Sequence, residues 1–342
     1  MSIVVIGSSN SDMVVRVPHI PREGETVMGN SFQILPGGKG ANQAVAAARL
    51  GTKVTFIASI GTDDLGNTAI KGLKKEHIDI HAIYRPEVNS GTALIFVSDS
   101  GQNSIAVSPE SNALLTPQHM QEHQKVISNA SYVLAQLETP IETVLEASKI
   151  AKTHKVPFVL NPAPAQPLPK ELLKNVSILT PNETEASILS GIEVIDKNSA
   201  IKAGKALLSL GIKTIVITMG ANGVLLIDET NCQHVEAHSV TAIDTTAAGD
   251  TFNGALVHAL SQNNNINESI IYANAASALS VTKFGAQPSV PYKDDVTKFL
   301  RVARSSIEDF GSCQNRITTL ADGFASDADL SKNKPTSLVF ES

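Results

Sequence analysis

The chain has 342 residues, of which 42% are hydrophobic and 18% charged, so it is long and apolar enough to fold around a sizeable core. Its 33 acidic and 27 basic residues give a net charge of −6, which argues against a nucleic-acid or anionic-membrane partner. Neither a signal-peptide pattern nor a run of about 18 apolar residues occurs, and Cys232 and Cys313 form no disulfide or metal pattern, so the sequence predicts a cytoplasmic protein.

Short apolar runs alternate with amphipathic helical patterns along most of the chain. The apolar runs predict buried strands over residues 3–6, 54–58, 132–137, 156–160, 177–180 and 214–218. Stripes at helical spacing lie between them; Ala41, Ala44, Val45 and Ala48, for example, share one helix face. This alternation predicts an α/β fold, in which a doubly wound, mostly parallel sheet is flanked by helices.

Two stretches and the C-terminus depart from that pattern. Residues 12–36 and 91–109 alternate with a period of two between Gly, Ser and Asp turns, which predicts a small β-sheet placed like a lid over the edge of the main domain. From about residue 301 the chain is polar and rich in Ser and Asp. We therefore expect one domain over residues 1–300 and a flexible polar tail over residues 301–342.

A glycine-rich turn precedes the first helical pattern. Gly37, Gly38 and Gly40 surround Lys39, so the backbone there can come close to a ligand. The spacing matches neither the Walker P-loop nor the dinucleotide-binding G-x-G-x-x-G pattern. By itself the turn fits an ordinary helix entry as well as a site for a polar ligand.

A second segment, residues 244–254, leads into an apolar helical stripe that begins near Gly249. Small residues at the start of this helix leave backbone N–H groups that can face an anion, supported by the helix dipole. Asp250 lies in the first turn, where an acidic residue is either a helix cap or, beside such an anion site, a general base. A base next to an anion site is the pairing that phosphoryl transfer to a hydroxyl requires.

Two further segments follow predicted strands. Residues 180–186 read Thr-Pro-Asn-Glu-Thr-Glu-Ala, a good helix start for which a cap is the simplest interpretation. Residues 218–223 read Thr-Met-Gly-Ala-Asn-Gly and precede the apolar run 224–227. This segment fits a plain turn or a loop whose backbone receives a nucleotide.

In their order along the chain, these segments resemble the ribokinase-like (PfkB) carbohydrate kinases over residues 3 to about 300. One family signature is similar to GGKGANQA at residues 37–44, with Gly51 and Gly61 downstream, and the other to DTTAAGDTFNG at residues 244–254. Supporting matches are residues 7–12, 136–138, 161–165 and 285–291. The tail has no counterpart in the family pattern.

The resemblance implies ATP-dependent phosphorylation of D-ribose at its 5-hydroxyl, giving D-ribose 5-phosphate and ADP, in a homodimer formed through the lid. It also leaves two alternatives: a kinase of the same family that acts on another sugar or a nucleoside, and a sugar-binding regulator that has lost catalysis. Intact Asp250 and Lys39 argue against the second alternative.

The same resemblance implies roles for individual residues. Sugar binding would fall to Asn10, Ser11, Asp12, Gly38, Lys39, Gly40, Ala41, Asn42 and Glu138, with Asp250 as general base and sugar ligand. Nucleotide binding would fall to Thr218, Met219, Gly220, Ala221, Asn222 and Gly223, to Asn274 beside the adenine, and to Asn182 and Glu185, which reach the triphosphate and its Mg²⁺. The N–H groups of Ala247, Ala248 and Gly249 would hold the transferred phosphoryl group. An activating K⁺ would bind at Asp244, Thr246, Ser280, Lys283, Gly285 and Ser289, mostly through backbone carbonyls.

Overall fold

The structure is a computed structural model that describes residues 2–302. Its central sheet has the alternation of strands and helices that the sequence predicts. Its strands are β1 (Ser2–Ile6), β4 (Lys53–Ser59), β5 (Ile83–Tyr84), β8 (Tyr132–Ala135), β9 (Phe158–Leu160), β10 (Ile178–Leu179), β11 (Thr214–Thr218), β12 (Val224–Asp228) and β13 (Cys232–Val235). Among the described residues these nine strands lie in the order β13-β12-β11-β10-β9-β8-β1-β4-β5. The strands from β11 to β5 pair in parallel, so the mostly parallel sheet is confirmed.

A second sheet contains the two stretches that alternate with a period of two. It consists of β2 (Asn10–Val17), β3 (Ser31–Gly37), β6 (Gly91–Ser98) and β7 (Asn103–Ser108), in the order β3-β2-β6-β7. The small sheet predicted from residues 12–36 and 91–109 is therefore present. Its strand β2 already begins at Asn10, directly after the loop that follows β1.

Ten α-helices connect and cover the strands in the described part of the chain. They are α1 (Lys39–Arg49), α2 (Asp64–Lys75), α3 (Pro117–Glu122), α4 (Gln124–Ser128), α5 (Ile141–Thr153), α6 (Lys170–Leu173), α7 (Glu183–Ser190), α8 (Lys197–Leu208), α9 (Ala248–Ser261) and α10 (Ile266–Ser280). Helix α9 packs against both α1 and α10. Between residues 2 and 302, no helix is both long and apolar enough to cross a membrane.

Both faces of the central sheet are buried, as a doubly wound fold requires. On one face, Val4 and Ile6 pack in a core cluster with Val144 of α5 and Ala203 of α8. Side chains alternate along a strand, so Ile3 and Val5 point to the other face, and both are fully buried there. The compact unit that contains this sheet ends at Val296. The tail expected over residues 301–342 lies, from residue 303 onward, outside the described residues.

Several strands are shorter than the sequence patterns predict. Strand β9 begins at Phe158 rather than residue 156, because Pro157 has no N–H group to donate to the ladder. Strand β8 ends at Ala135, before the polar residue Gln136. The antiparallel pairs β11–β12 and β12–β13 form an edge that the periodicity did not predict.

Polar residues follow the carboxyl ends of the parallel strands. These ends meet at one edge of the sheet, which is where α/β proteins bind ligands.

Candidate active site

The start of helix α1 lies directly against the loop that follows β1. The Ala41 N–H donates to the Ser8 carbonyl at 2.8 Å, and the Gly40 N–H donates to Ser8 Oγ at 3.3 Å. A Cβ at Gly40 would lie 2.6 Å from the Gly7 carbonyl carbon, and Gly38 has a φ of 87°. Glycine is therefore required at both positions, for close approach at Gly40 and for the left-handed backbone at Gly38.

Glu138 links the N-terminus of α1 to the loop after β1. Its Oε2 accepts from Ser8 Oγ at 2.5 Å and from the Lys39 N–H at 3.0 Å. The carboxylate thus satisfies one of the unpaired N–H groups of the first helical turn and interacts favourably with the helix dipole. This arrangement fixes Glu138 beside Lys39.

Asp250 is held by two amide side chains of α1. Asn42 Nδ2 donates to Asp250 Oδ2 at 2.9 Å, and Gln43 Nε2 donates to Asp250 Oδ1 at 3.0 Å. The same Gln43 nitrogen donates to Asn161 Oδ1 at 3.1 Å, and Gln136 Nε2 donates to Gln43 Oε1. Only 7% of Asp250 is exposed. The network therefore joins the first turn of α9 to α1 and to the ends of β8 and β9.

Gln43 and Asn161 were not assigned roles from the sequence. Gln43 lies four residues after Lys39, so both side chains project from the same face of α1. That spacing was the available signal for Gln43. Asn161 follows β9 directly, and the rule that ligand sites collect at the carboxyl ends of parallel strands could have identified it.

Asp250 and Lys39 face a cavity of about 220 Å³. Its wall also contains Asn182, Glu185 and residues 247–249. Ala247 takes a left-handed conformation with φ of 58°, and α9 begins at the next residue. The start of a long helix with small side chains therefore borders a cavity that contains both a carboxylate and an ammonium group, an arrangement suited to an anion that receives a nucleophile.

The charges around this cavity perturb one another. Burial alone would lower the pKa of Lys39, but the carboxylates of Asp250, Glu138, Glu185 and Asp12 together raise it. Lys39 therefore remains an ammonium ion at neutral pH. Burial is the largest cause that raises the pKa of Asp12 to about 7, and repulsion from the carboxylates of Glu138 and Asp250 adds to it. Burial likewise raises the pKa of Glu185.

A second cavity of about 340 Å³ adjoins the first, because both walls contain Asn182, Thr218, Ala248 and Gly249. Of the other residues predicted to bind a nucleotide, Gly220, Gly223 and Asn274 line it. The side chain of Met219 lies in the hydrophobic core, and Ala221 and Asn222 lie outside the cavity wall.

Asn274, Asn182 and Glu185, which the resemblance assigns to the nucleotide and its Mg²⁺, have defined hydrogen-bond partners. Asn274 Nδ2 donates to the Glu236 carbonyl at 2.7 Å. Asn182 and Glu185 form a capping box at the start of α7, in which each side chain accepts from the other residue's backbone N–H. The helix start predicted over residues 180–186 is therefore confirmed, and its cap lies at the rim of both cavities.

A third cavity, of about 820 Å³, lies between the small sheet and the loops 242–246 and 284–286. Asp12, Val14, Leu35 and Ile95 line it from the sheet. Thr245 belongs to this wall and to that of the 220 Å³ cavity, so the two spaces adjoin.

Ser11 and Ala41 do not reach these spaces. Because side chains alternate along β2, Ser11 points away from Asp12. Ser11 and Ala41 line a separate cavity of about 380 Å³ next to helix α2, and Asn10 belongs to the wall of that cavity too. The structure therefore does not bring Ser11 and Ala41 into the 220 or 820 Å³ cavity, whereas strand alternation places the Asn10 side chain on the same face of β2 as Asp12.

The residues predicted to bind K⁺ are partly drawn together. Asp244 Oδ1 accepts from the Thr246 N–H and Asp244 Oδ2 accepts from the Gly285 N–H, both at 2.9 Å. The hydroxyls of Ser280 and Ser289 donate to the carbonyls of Ser277 and Ala286, and the Ser280 carbonyl accepts from the Lys283 N–H. No cluster of three or more His, Cys, Asp or Glu residues suited to a metal ion occurs within residues 2–302.

Comparisons with known proteins give relatives that match most of the chain. Residues 1–293 match the model of the pfkB family carbohydrate kinases. Ribokinase from Haemophilus influenzae is 46% identical over 303 residues, covering 88% of this chain and 99% of the relative. Deoxyribokinase from Salmonella typhi is 35% identical over 302 residues, covering 88% and 99%.

Solved structures show the same fold. The structure of Arabidopsis thaliana ribokinase complexed with ribose and ATP is 31% identical, with a TM-score of 0.83, and the match covers 87% of this chain and 98% of the plant enzyme. Ribokinase from Thermotoga maritima is 38% identical with a TM-score of 0.82, covering 88% and 99%. The chain therefore belongs to the pfkB family of carbohydrate kinases.

Proposed function

We propose that this chain is a kinase that transfers the γ-phosphoryl group of ATP to the 5-hydroxyl of D-ribose, giving D-ribose 5-phosphate and ADP. The observation that carries the proposal is the Asp250 carboxylate at the first turn of α9, facing the same small cavity as Lys39. The relatives named ribokinase support ribose as the sugar, with identities of 46% for Haemophilus influenzae and 40% for Bacillus subtilis.

Asp250 acts as the general base. Its carboxylate takes the proton of the 5-hydroxyl while that oxygen forms a bond to the γ-phosphorus. The bond between the γ-phosphorus and the bridging oxygen of ADP breaks, and ADP leaves with the electron pair. Backbone N–H groups at Ala247–Gly249 and the Lys39 ammonium stabilise the charge on the transferred group, so the chemistry depends on position and electrostatics.

Polar side chains on the small sheet and α1 hold the other hydroxyls of the sugar. Asp12 lines the 820 Å³ cavity, and Glu138 and Asn42 flank the start of α1. Asn42 Oδ1 is buried and has no hydrogen-bond partner among the described residues, so it is an acceptor that a sugar hydroxyl can satisfy. Backbone groups of residues 38–41 complete this side of the site.

ATP binds across the 220 and 340 Å³ cavities, with its adenine near Asn274 and residues 218–223. Asn182 and Glu185 offer oxygen ligands at the boundary of the two cavities, which fits Mg²⁺ held mostly through water. When bound, Mg²⁺ neutralises charge on the β- and γ-phosphates. Because ATP is the phosphoryl donor, we expect the reaction to take place in the cytoplasm.

A monovalent cation such as K⁺ would bind at Asp244 and the carbonyls of Thr246, Ser280, Lys283, Gly285 and Ser289. The donor set fits a monovalent cation, because all of these ligands are oxygen atoms. The Asp244 carboxylate also accepts hydrogen bonds from the N–H groups of Thr246 and Gly285, which holds these residues close together. The cation would lie next to residues 247–249 in sequence and would fix the orientation of their N–H groups.

The small sheet serves as a lid and as the contact between two copies of the chain. Ile34, Met13 and Leu94 are register neighbours across three strands, on the face opposite Asp12 and Val14. Ile34 is 49% exposed and Leu94 is 50% exposed, although both are large and apolar. A second copy of this sheet would cover that apolar surface. Sedimentation of the parent chain should show a dimer, and Leu94→Asp should shift it to monomer; a monomeric parent would refute the contact.

The experiment that tests the function is a panel of acceptors at saturating ATP, with ADP release as the readout and the product identified by phosphorus NMR. D-Ribose should have the highest kcat/KM, and the product should carry its phosphate on the 5-oxygen. The Salmonella typhi relative makes 2-deoxy-D-ribose the specific second candidate. A higher kcat/KM for 2-deoxy-D-ribose, for a hexose or for a nucleoside would replace ribose in the proposal.

A further inference from the structure

Asn112 occupies a buried position that the chemistry described so far does not use. It lies in a short 3₁₀ helix, Glu110–Leu114, that begins two residues after the end of β7, and only 1% of it is exposed. Its Oδ1 accepts from the Ser9 N–H at 2.9 Å, and its Nδ2 donates to Asn10 Oδ1 at 2.7 Å. Asn112 therefore contacts the predicted sugar ligand Asn10 from the side of the small sheet.

The orientation of both amides follows from these two bonds. The Ser9 N–H is a donor only, so it must face Asn112 Oδ1, and the Nδ2 of Asn112 must then face Asn10. Because Asn10 meets a donor, it presents Oδ1 to Asn112 and its own NH₂ group to the other side. Within residues 2–302, Asn10 Nδ2 donates to no protein acceptor. The pair therefore offers a hydrogen-bond donor with a fixed direction.

The packing around the pair requires glycine at position 91. Gly91, the first residue of β6, is the register partner of Asn10. A Cβ at Gly91 would lie 2.1 Å from Asn112 Nδ2 and 2.3 Å from Asn10 Oδ1. One end of the small sheet therefore brings together the first residues of β2 and β6 and the 3₁₀ helix that follows β7.

We infer that Asn112 is a positioning residue for the sugar: it locks the Asn10 amide so that Asn10 donates to a ribose hydroxyl. The side chain of Asn10 lies on the same face of β2 as that of Asp12, because the two residues are separated by one position. Asp12 lines the 820 Å³ cavity assigned to the sugar, and Asn10 belongs to the wall of the 380 Å³ cavity. The inference rests on the proposed function, which places ribose there. It predicts that Asn112 affects ribose binding specifically, without touching ribose itself.

The test is a double-mutant cycle between Asn10 and Asn112 in the full chain. Asn112→Asp keeps the shape and still accepts from the Ser9 N–H, but its carboxylate cannot donate to Asn10 Oδ1. The Asn10 amide should then turn, giving an acceptor where the sugar needs a donor. We expect the KM for ribose to rise about tenfold, the worth of about one hydrogen bond, with kcat and the KM for ATP within about twofold.

The cycle separates positioning from a merely structural role. In an Asn10→Ala background, Asn112→Asp should change the KM for ribose less than twofold, because there is no longer an amide to orient. Additive effects, or equal losses in ribose and ATP kinetics, would overturn the inference. Asn112→Ala repeats the cycle without a buried charge. Asn175→Asp, whose amide donates to Ser148 on α5, is the matched control and should leave all parameters unchanged.

The same measurements distinguish failure of the inference from failure of the proposed function. If the parent chain does not phosphorylate ribose, the proposed function is wrong. If it does, but Asn10→Ala leaves the KM for ribose unchanged, Asn10 is not a sugar ligand and the positioning role falls with it. If Asn10→Ala raises that KM and Asn112→Asp and Asn112→Ala do not, only the inference about Asn112 is wrong.

Discussion

Replacing Asp250 with Asn tests the general base, and the structure determines how the site must adapt. Both Asp250 oxygens accept from amide NH₂ groups, those of Asn42 and Gln43. In Asp250→Asn, one of these donors would meet the new NH₂ group. Gln43 cannot turn, because its Oε1 accepts from Gln136 and its Nε2 also donates to Asn161. Asn42 can turn, since its Oδ1 has no partner within residues 2–302.

The magnitudes follow from that adaptation. Loss of a general base lowers kcat by about 10²–10⁴-fold, equivalent to about 3–5 kcal/mol of barrier. If Asn42 turns, the variant keeps all its hydrogen bonds and its stability should change by less than about 1 kcal/mol; a trapped donor pair would cost about 1–3 kcal/mol. Turning Asn42 uses the acceptor proposed for a sugar hydroxyl, so ribose affinity should fall about three- to tenfold.

Three measurements check this prediction: kcat from ADP release, ribose affinity by calorimetry and the free energy of unfolding in urea. Asp196→Asn is the control, because Asp196 caps α8, where its side chain accepts from the Ser199 N–H, and it is not among the residues assigned to the site. It should retain the parent kcat. If Asp250→Asn keeps more than a tenth of the parent kcat, Asp250 is only a helix cap and the base lies elsewhere.

Three further expectations concern stability, cation dependence and the tail. Burial lowers the pKa of His258 to about 4 from an ordinary value near 6.5. The neutral imidazole therefore contributes its full stability above pH 6.5, and about 3 kcal/mol of the free energy of unfolding is lost as the pH falls from there towards 4. Urea unfolding of His258→Gln should lack that part of the pH dependence, and a profile identical to that of the parent would refute the prediction. Activity should be higher in K⁺ than in Na⁺ or a bulky organic cation at equal ionic strength, and equal rates in all three would remove the cation site at Asp244. Deleting residues 305–342 should leave kcat within about threefold, or about 0.7 kcal/mol of barrier, because all assigned site residues precede residue 290; a folded but inactive truncation would place the tail in the site.

Periodicity predicted the interior of the fold better than its edges. The parallel strands are buried on both faces, so continuous apolar runs such as that at β11 identified them. Strand β13 is short and partly exposed, and its sequence, Cys-Gln-His-Val, has no pattern distinct from a loop. The small sheet was recognisable because its apolar side chains alternate with polar ones.

The candidate site was predictable as a set of segments but not as a set of contacts. The resemblance placed Asp250 beside the sugar, but no local pattern relates it to Gln43, from which it is separated by 207 positions. Asn112 lies in a turn that the sequence marks only by Pro109 and Glu110, and its role depends on a strand that begins 102 residues earlier. Such pairs are decided by tertiary packing, which single-sequence patterns do not contain.

The long separations within the hydrogen-bond network also bear on how the protein is made. All nine strands of the central sheet that the structure describes end by Val235, whereas the carboxylate proposed as the general base belongs to residue 250. Asn42 and Asp250, which bond directly, are 208 positions apart. Synthesis proceeds from the N-terminus, so a growing chain can complete its sheet while α1 still lacks the helix that covers it. On the proposal that Asp250 is the general base, enzymatic activity requires the docking of α9, and it reports that docking rather than formation of the sheet.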